Sequence, residues 1–67
     1  MDTEQRMRII EEKLDSLGIT IKVWAKNNEL DHRIVEDLIH GKLRGTHGVA
    51  LNSRIKMEEF FGPIFNH

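Results

Sequence analysis

The residue types that carry catalytic or metal chemistry occur in this chain without the spacings that such chemistry needs. The four histidines stand at positions 32, 40, 47 and 67, so no two are four residues apart, and there is no cysteine to complete a zinc site. Ser16 and Ser53 lack a neighbouring base and carboxylate that would activate a hydroxyl nucleophile. No glycine-rich phosphate-binding motif occurs. We therefore expect no enzymatic activity, no metal and no other cofactor.

Charge is distributed unevenly along the chain, although the total is only −1. The first fifteen residues contain five acids, whereas residues 38–57 contain none. A near-neutral total can therefore hide a basic face, which would suit a polyanion. The cations of the acid-free stretch are Lys42, Arg44, Arg54 and Lys56.

The length of 67 residues is enough for one small domain with a thin core, so we expect residues 1–67 to form a single unit. No apolar run approaches the roughly 20 residues that a membrane-spanning helix needs. The N-terminus is charged and lacks the apolar segment of a secretion signal. These features predict a cytoplasmic protein without a membrane partner.

Hydrophobic spacing predicts an all-α fold, a compact four-helix domain without strands. In the first helix Met7, Ile10, Leu14 and Leu17 follow the three-and-four spacing of one apolar stripe. The expected helices cover about residues 3–17, 20–27, 31–40 and 49–61, with a short C-terminal tail at 62–67.

Capping residues support these boundaries. Asp2 or Thr3, Thr20 and Asp31 can accept hydrogen bonds from the first turns of three helices, and Gly18 and Gly41 can end two of them. The residues expected to face inward on the last three helices are Trp24, Ala25, Val35, Leu38, Ile39, Leu51, Ile55, Met57 and Phe61.

The segment between Thr20 and Gly41 fits the requirements of a helix-turn-helix. Ala25 is small enough for two helices to touch there, and Leu30 supplies the apolar residue after the turn. Val35 and Leu38 anchor the second helix at a spacing of three residues. These four positions predict two short helices joined by a tight turn.

Residues 21–40 resemble the helix-turn-helix of the lambda-repressor and Cro superfamily. The chain is more specifically similar to small phage-associated DNA-binding proteins of Mu-like prophages, over roughly residues 9–62. The shared features are the sequences Gly18-Ile19-Thr20, Trp24-Ala25 and Gly41-Lys42-Leu43-Arg44-Gly45, and a final helix that ends at Gly62. The resemblance implies a lambda-repressor-like domain that binds double-stranded DNA sequence-specifically as a phage or prophage transcriptional regulator.

The same resemblance implies which residues contact DNA, because the second helix of this motif enters the major groove. Arg33 is the strongest candidate base reader, since its planar guanidinium can bond guanine O6 and N7 together. The other candidate base contacts are His32, Glu36 and Asp37. The candidate phosphate contacts are Lys42, Arg44, His47, Lys22 and Lys26.

Glu36 and Asp37 also support a different function. Two carboxylates in the groove would repel phosphates, although either can accept a hydrogen bond from cytosine N4. The alternative is a protein-interaction module of the antirepressor type, which keeps the helix-turn-helix fold without binding DNA.

Two structural questions stay open in the sequence. The turn position that is usually glycine is Glu29, and either Glu29 or the neighbouring Asn28 can adopt the left-handed conformation there. The apolar residues near the C-terminus, Phe60, Ile64 and Phe65, can either form a homodimer surface or close the monomer core.

Overall fold

In a computed structural model that describes residues 1–65, the chain forms four α-helices and no strand. Asn66 and His67, the end of the predicted tail, lie outside the described residues. None of the helices within residues 1–65 is long and apolar enough to cross a membrane. The predicted all-α class is confirmed. The helices are α1 (Thr3–Leu17), α2 (Ile21–Asn27), α3 (His32–Ile39) and α4 (Gly48–Phe61).

Side chains cap the starts of α1, α2 and α3 as the sequence predicts. The carboxylate of Asp2 accepts a hydrogen bond from the backbone N–H of Gln5 at 2.8 Å, in a reciprocal capping box. The hydroxyl of Thr20 accepts from the N–H of Val23 at 3.2 Å. The Asp31 carboxylate accepts from the N–H of Arg33 at 2.8 Å.

The turn between α2 and α3 closes with the hydrogen bonds of a Schellman motif. The N–H of Leu30 donates to the carbonyl of Ala25 at 2.8 Å, and the N–H of Glu29 donates to Lys26 at 3.0 Å. Glu29 has a φ of 58°, whereas Asn28 has a φ of −100°. Glu29 therefore takes the left-handed position, at a cost of about 1–2 kcal/mol relative to a right-handed residue.

The core lies between the four helices and contains the residues that the central segment was expected to bury. Ala25 and Val35 have no exposed surface, and Leu38 and Ile39 are also buried. The Trp24 ring packs against Phe61, with ring centroids 4.9 Å apart. The predicted inward faces of α2 and α3 are thus confirmed.

Helix α4 is oriented differently from the prediction. Ile55 is 45% exposed, whereas Ser53 is fully buried. Apolar residues occur on several sides of α4, so their spacing does not select one face. Met57 and Phe61 are buried as expected. Leu17, which was assigned to the apolar stripe of α1, is 51% exposed.

The C-terminal apolar residues close the monomer core. Ile64 is 1% and Phe65 is 8% exposed, and Phe60 is half-buried with its ring centroid 5.6 Å from that of Trp24. Ile64 and Phe65 therefore pack inside one molecule, and the described residues give no support to the predicted homodimer surface through Phe60, Ile64 and Phe65.

Arg6 ties the first helix to the C-terminal turn and to α3. Its Nε donates to the Ile64 carbonyl at 2.9 Å, and its Nη1 donates to the Ile39 carbonyl at 2.7 Å. The guanidinium carbon also lies 5.0 Å from the centroid of the Phe65 ring. The Arg6 guanidinium therefore donates to the carbonyl of Ile39, the last residue of α3. A positive charge is favourable there because the helix dipole is negative at the C-terminal end.

Candidate nucleic-acid interface

The outer face of α3 presents Arg33 and Asp37, one helical turn apart. Val35, Leu38 and Ile39 occupy the buried side of this helix, so Arg33 projects away from the core. Arg33 is exposed, and within residues 1–65 its guanidinium makes no hydrogen bond or ion pair. Its five N–H donors are therefore directed at solvent, where a planar acceptor can meet them.

The carboxylate of Glu36 is shared by two histidines on the same helix. One oxygen lies 3.1 Å from Nε2 of His32 and the other 3.3 Å from Nε2 of His40. The three side chains are 39%, 38% and 41% exposed in chain order, so the group is open to water. A base contact by Glu36 would have to compete with both imidazoles. Asp37 is half-buried and makes no such contact within the described residues.

The loop after α3 is anchored at both ends, while its cations remain exposed. At its start, the N–H of Lys42 donates to the carbonyl of Asp37 at 2.8 Å. Near its end, Nε of Arg54 donates to the Gly45 carbonyl at 2.9 Å, and Arg54 also forms an ion pair with Glu58 at 2.8 Å. Lys42 and Arg44 are exposed, and their side chains make no hydrogen bond or ion pair within residues 1–65.

Gly45 allows this loop to lie directly against α3 and α4. A Cβ atom at this position would lie 3.0 Å from Leu38 Cδ2 and 3.1 Å from Arg54 Cβ, and the glycine has a φ of 71°. A larger residue would push the loop outward. The close approach therefore fixes the distance between the loop cations and α3.

Helix α4, which lies within the described residues, begins without a side-chain cap. Its first turn contains no acidic residue. Its N-cap is His47, whose ring nitrogen Nδ1 lies 3.1 Å from the Thr46 hydroxyl. The unpaired backbone N–H groups at the start of this 14-residue helix favour anions. They follow directly after the exposed cations of the loop.

Lys22 and Lys26 are exposed on α2, one turn apart and on the side away from Trp24. Neither side chain contacts another charged group within residues 1–65. Both side chains are therefore free to make the predicted phosphate contacts, but they lie on α2 and not with Arg33, Lys42 and Arg44.

A groove of about 260 Å³ opens between α1, α2 and α3. Its apolar part includes Ile10, Leu14 and Ile39, and its acidic residues are Glu11, Asp15 and Glu36. Glu36 therefore belongs both to this groove and to the histidine pair. An acid-lined apolar groove of this size fits one or two aliphatic side chains with a cation beside them.

Sequence reasoning missed two features of this region. The pairing of Glu36 with His32 and His40 could have been found, because each histidine stands four residues from it. The engagement of Arg54 with the Gly45 carbonyl could not, since it depends on the path of the loop. Within residues 1–65, no group of three histidine or carboxylate side chains is arranged to hold a metal ion.

Comparison with known proteins finds no family model, no curated protein and no solved structure that matches this chain.

Proposed function

We propose that this protein binds double-stranded DNA sequence-specifically, as a lambda-repressor-like helix-turn-helix domain that inserts α3 into the major groove. The observation that carries the proposal is the set of exposed cations Arg33, Lys42 and Arg44 on α3 and the loop that follows it. None of the three side chains makes a hydrogen bond or ion pair within residues 1–65. The role as a phage or prophage transcriptional regulator rests on the resemblance described above, and the cytoplasmic location rests on the sequence features given with it.

The loop and the start of α4 supply the sequence-independent part of this binding. Lys42 and Arg44 neutralise phosphates, and the uncapped first turn of α4 offers backbone N–H groups to another phosphate. Lys22 and Lys26 add contacts from α2, and His47 lies at the entrance to α4. Neutralising phosphates releases counterions, so the affinity depends steeply on salt.

Arg33 supplies the sequence-dependent part. The major groove admits one α-helix, and residues near the start of that helix reach the base edges. Arg33 is the second residue of α3, and its guanidinium can bond a guanine at O6 and N7. His32 and Asp37 flank it as secondary base contacts. Glu36 is a weaker reader than the sequence suggested, because both of its oxygens face imidazoles.

The proposal is tested by fluorescence anisotropy of a random-sequence duplex at two low salt concentrations. Wild type should bind, and Lys42→Ala with Arg44→Ala should weaken binding to all duplexes about equally. The slope of log K against log salt should become shallower by about 0.9 for each phosphate that the variant no longer neutralises. Arg8→Ala is the matched control, since Arg8 is an exposed cation on α1. If wild type does not bind at the lower salt, the DNA-binding assignment is wrong.

The second candidate function is a protein-interaction module of the antirepressor type. The acid-lined groove between α1, α2 and α3 favours it, because a basic segment with an aliphatic side chain complements that groove. Glu11→Lys with Asp15→Lys would then abolish binding to the partner. In the DNA-binding proposal, the same substitutions leave the contacts of Arg33, Lys42 and Arg44 in place.

A further inference from the structure

We infer that the segment Lys42-Leu43-Arg44 of one molecule docks into the groove between α1, α2 and α3 of a second copy of this chain. The inference goes beyond DNA binding and does not depend on it. It starts from two surfaces that complement each other: an apolar side chain between two cations, and an apolar groove between carboxylates. Among the described residues, the segment does not line the groove of its own molecule.

The docking segment, residues 42–44, presents an apolar side chain from a fixed backbone. Leu43 is 38% exposed, and its N–H donates to the Asp37 carbonyl at 3.3 Å, beside the N–H of Lys42 at 2.8 Å. Gly45 then holds the loop against α3 and α4. A segment that is already ordered loses little conformational entropy when it binds.

The groove offers the complementary surface. Its volume of about 260 Å³ has room for a leucine side chain, and it is lined by the buried residues Ile10, Leu14 and Ile39. Glu11 and Asp15 stand one turn apart at its edge on α1. Both carboxylates are exposed and make no hydrogen bond or ion pair within residues 1–65.

The charges beside Leu43 distinguish it from the other exposed apolar side chains. Within the described part of the chain, Leu43 and Ile55 are the exposed large apolar residues that stand between two cations. Beside Ile55, however, Arg54 is already engaged with the Gly45 carbonyl and with Glu58. The cations of the docking segment have no such contact, so they can reach the carboxylates of another molecule.

In the docked state, Leu43 fills the groove while the stems of Lys42 and Arg44 lie along its apolar edge. Their charged heads then reach Glu11 and Asp15. Such a contact is much smaller than the roughly 1,200 Å² of a stable interface, so it is transient and depends on concentration. Each copy keeps one unused segment or groove, so further copies add head-to-tail.

Sedimentation velocity without DNA, at increasing protein concentration, measures this self-association. The average mass of wild type should rise with concentration, and less so at high salt, which screens the ion pairs. Leu43→Ser should weaken the association about tenfold or more, because it removes the buried apolar side chain. Glu11→Lys with Asp15→Lys should abolish it. Wild type that stays monomeric up to about 1 mM overturns the inference.

Two control variants carry the same changes outside the contact. Ile55→Ser removes an exposed apolar side chain on α4, and Glu4→Lys with Glu12→Lys reverses two exposed acids of α1 that do not line the groove. Both should associate like wild type. Circular dichroism establishes that every variant is folded. If the controls weaken association as much as the test variants, the contact lies elsewhere and the inference is wrong.

Mixing the two test variants examines the head-to-tail arrangement. The variant with Glu11→Lys and Asp15→Lys keeps an intact docking segment, and the Leu43→Ser variant keeps an intact groove. Together they should form a one-to-one complex that grows no further, although neither associates appreciably alone. A mixture that stays monomeric overturns the inference.

The outcomes also separate this inference from the proposed function. A protein that self-associates as expected but binds no duplex overturns only the DNA-binding proposal. If both hold, a docked segment cannot contact phosphates, so random duplex should dissociate the assembly. An assembly that persists unchanged on bound duplex overturns the docking of Lys42 and Arg44.

Discussion

Two regions of the molecule use the same kind of side chain for opposite purposes. Arg6 and Arg54 each donate hydrogen bonds to backbone carbonyls and join separate parts of the chain. The guanidinium groups of Arg33 and Arg44 are exposed and make no hydrogen bond or ion pair within residues 1–65. The difference shows that a basic stretch in a sequence is not a measure of a basic surface, because some of its cations hold the fold together.

The largest effect is expected on the free energy of unfolding, where an arginine side chain donates hydrogen bonds to backbone carbonyls. Arg6→Ala should lower the free energy of unfolding by about 2–4 kcal/mol, because the Ile39 and Ile64 carbonyls lose a charged donor. Chemical denaturation followed by circular dichroism measures it. Arg8→Ala, the exposed neighbour on α1, should change stability by less than about 0.5 kcal/mol. If both substitutions lowered the free energy of unfolding equally, the hydrogen bonds of Arg6 would not stabilise the fold as we expect.

The next effect is expected in binding rather than in stability. Arg33→Ala should cost about 1–3 kcal/mol on a preferred duplex and relax the preference at one or two base pairs. Its unfolding free energy should stay close to that of wild type, because Arg33 is exposed. Selection from random duplexes measures the preference. An identical consensus for variant and wild type would remove Arg33 from the readout.

The smallest effect concerns the turn that joins the two short helices. Glu29→Gly should raise the free energy of unfolding by about 1 kcal/mol, since glycine adopts a φ of 58° without the penalty that a Cβ atom brings. Glu29→Ala is the control that removes the charge and keeps the Cβ atom. If alanine stabilises as much as glycine, charge rather than backbone conformation is responsible.

Local features of the fold could be predicted from the sequence because they depend on neighbouring residues. The caps Thr20 and Asp31 act within three residues of themselves, and the buried faces of α2 and α3 follow from the spacing of a few apolar side chains. The same locality explains why Arg33 could be placed on the outer face of its helix once Val35 and Leu38 were assigned inward.

Features that depend on distant parts of the chain could not be predicted. Nothing near Arg6 in the sequence indicates that its acceptors are Ile39 and Ile64. The spacing in α4 favoured Ile55 as a core residue, but packing buries Ser53, whose hydroxyl has no hydrogen-bond partner within the described residues. The assignment of Ile64 to the core also required the tertiary arrangement.

The hydrogen bond from Arg6 to the Ile64 carbonyl has a consequence for the order of folding. It joins residues 58 positions apart, whereas the caps and turns of the four helices close over fewer than seven. Closing a long loop costs more chain entropy than closing a turn, and helical domains with mostly local contacts fold quickly. The C-terminal turn should therefore dock late, after α1 and α3 have formed. Amide hydrogen exchange should then report early loss of protection at Ile64 when the domain opens partially.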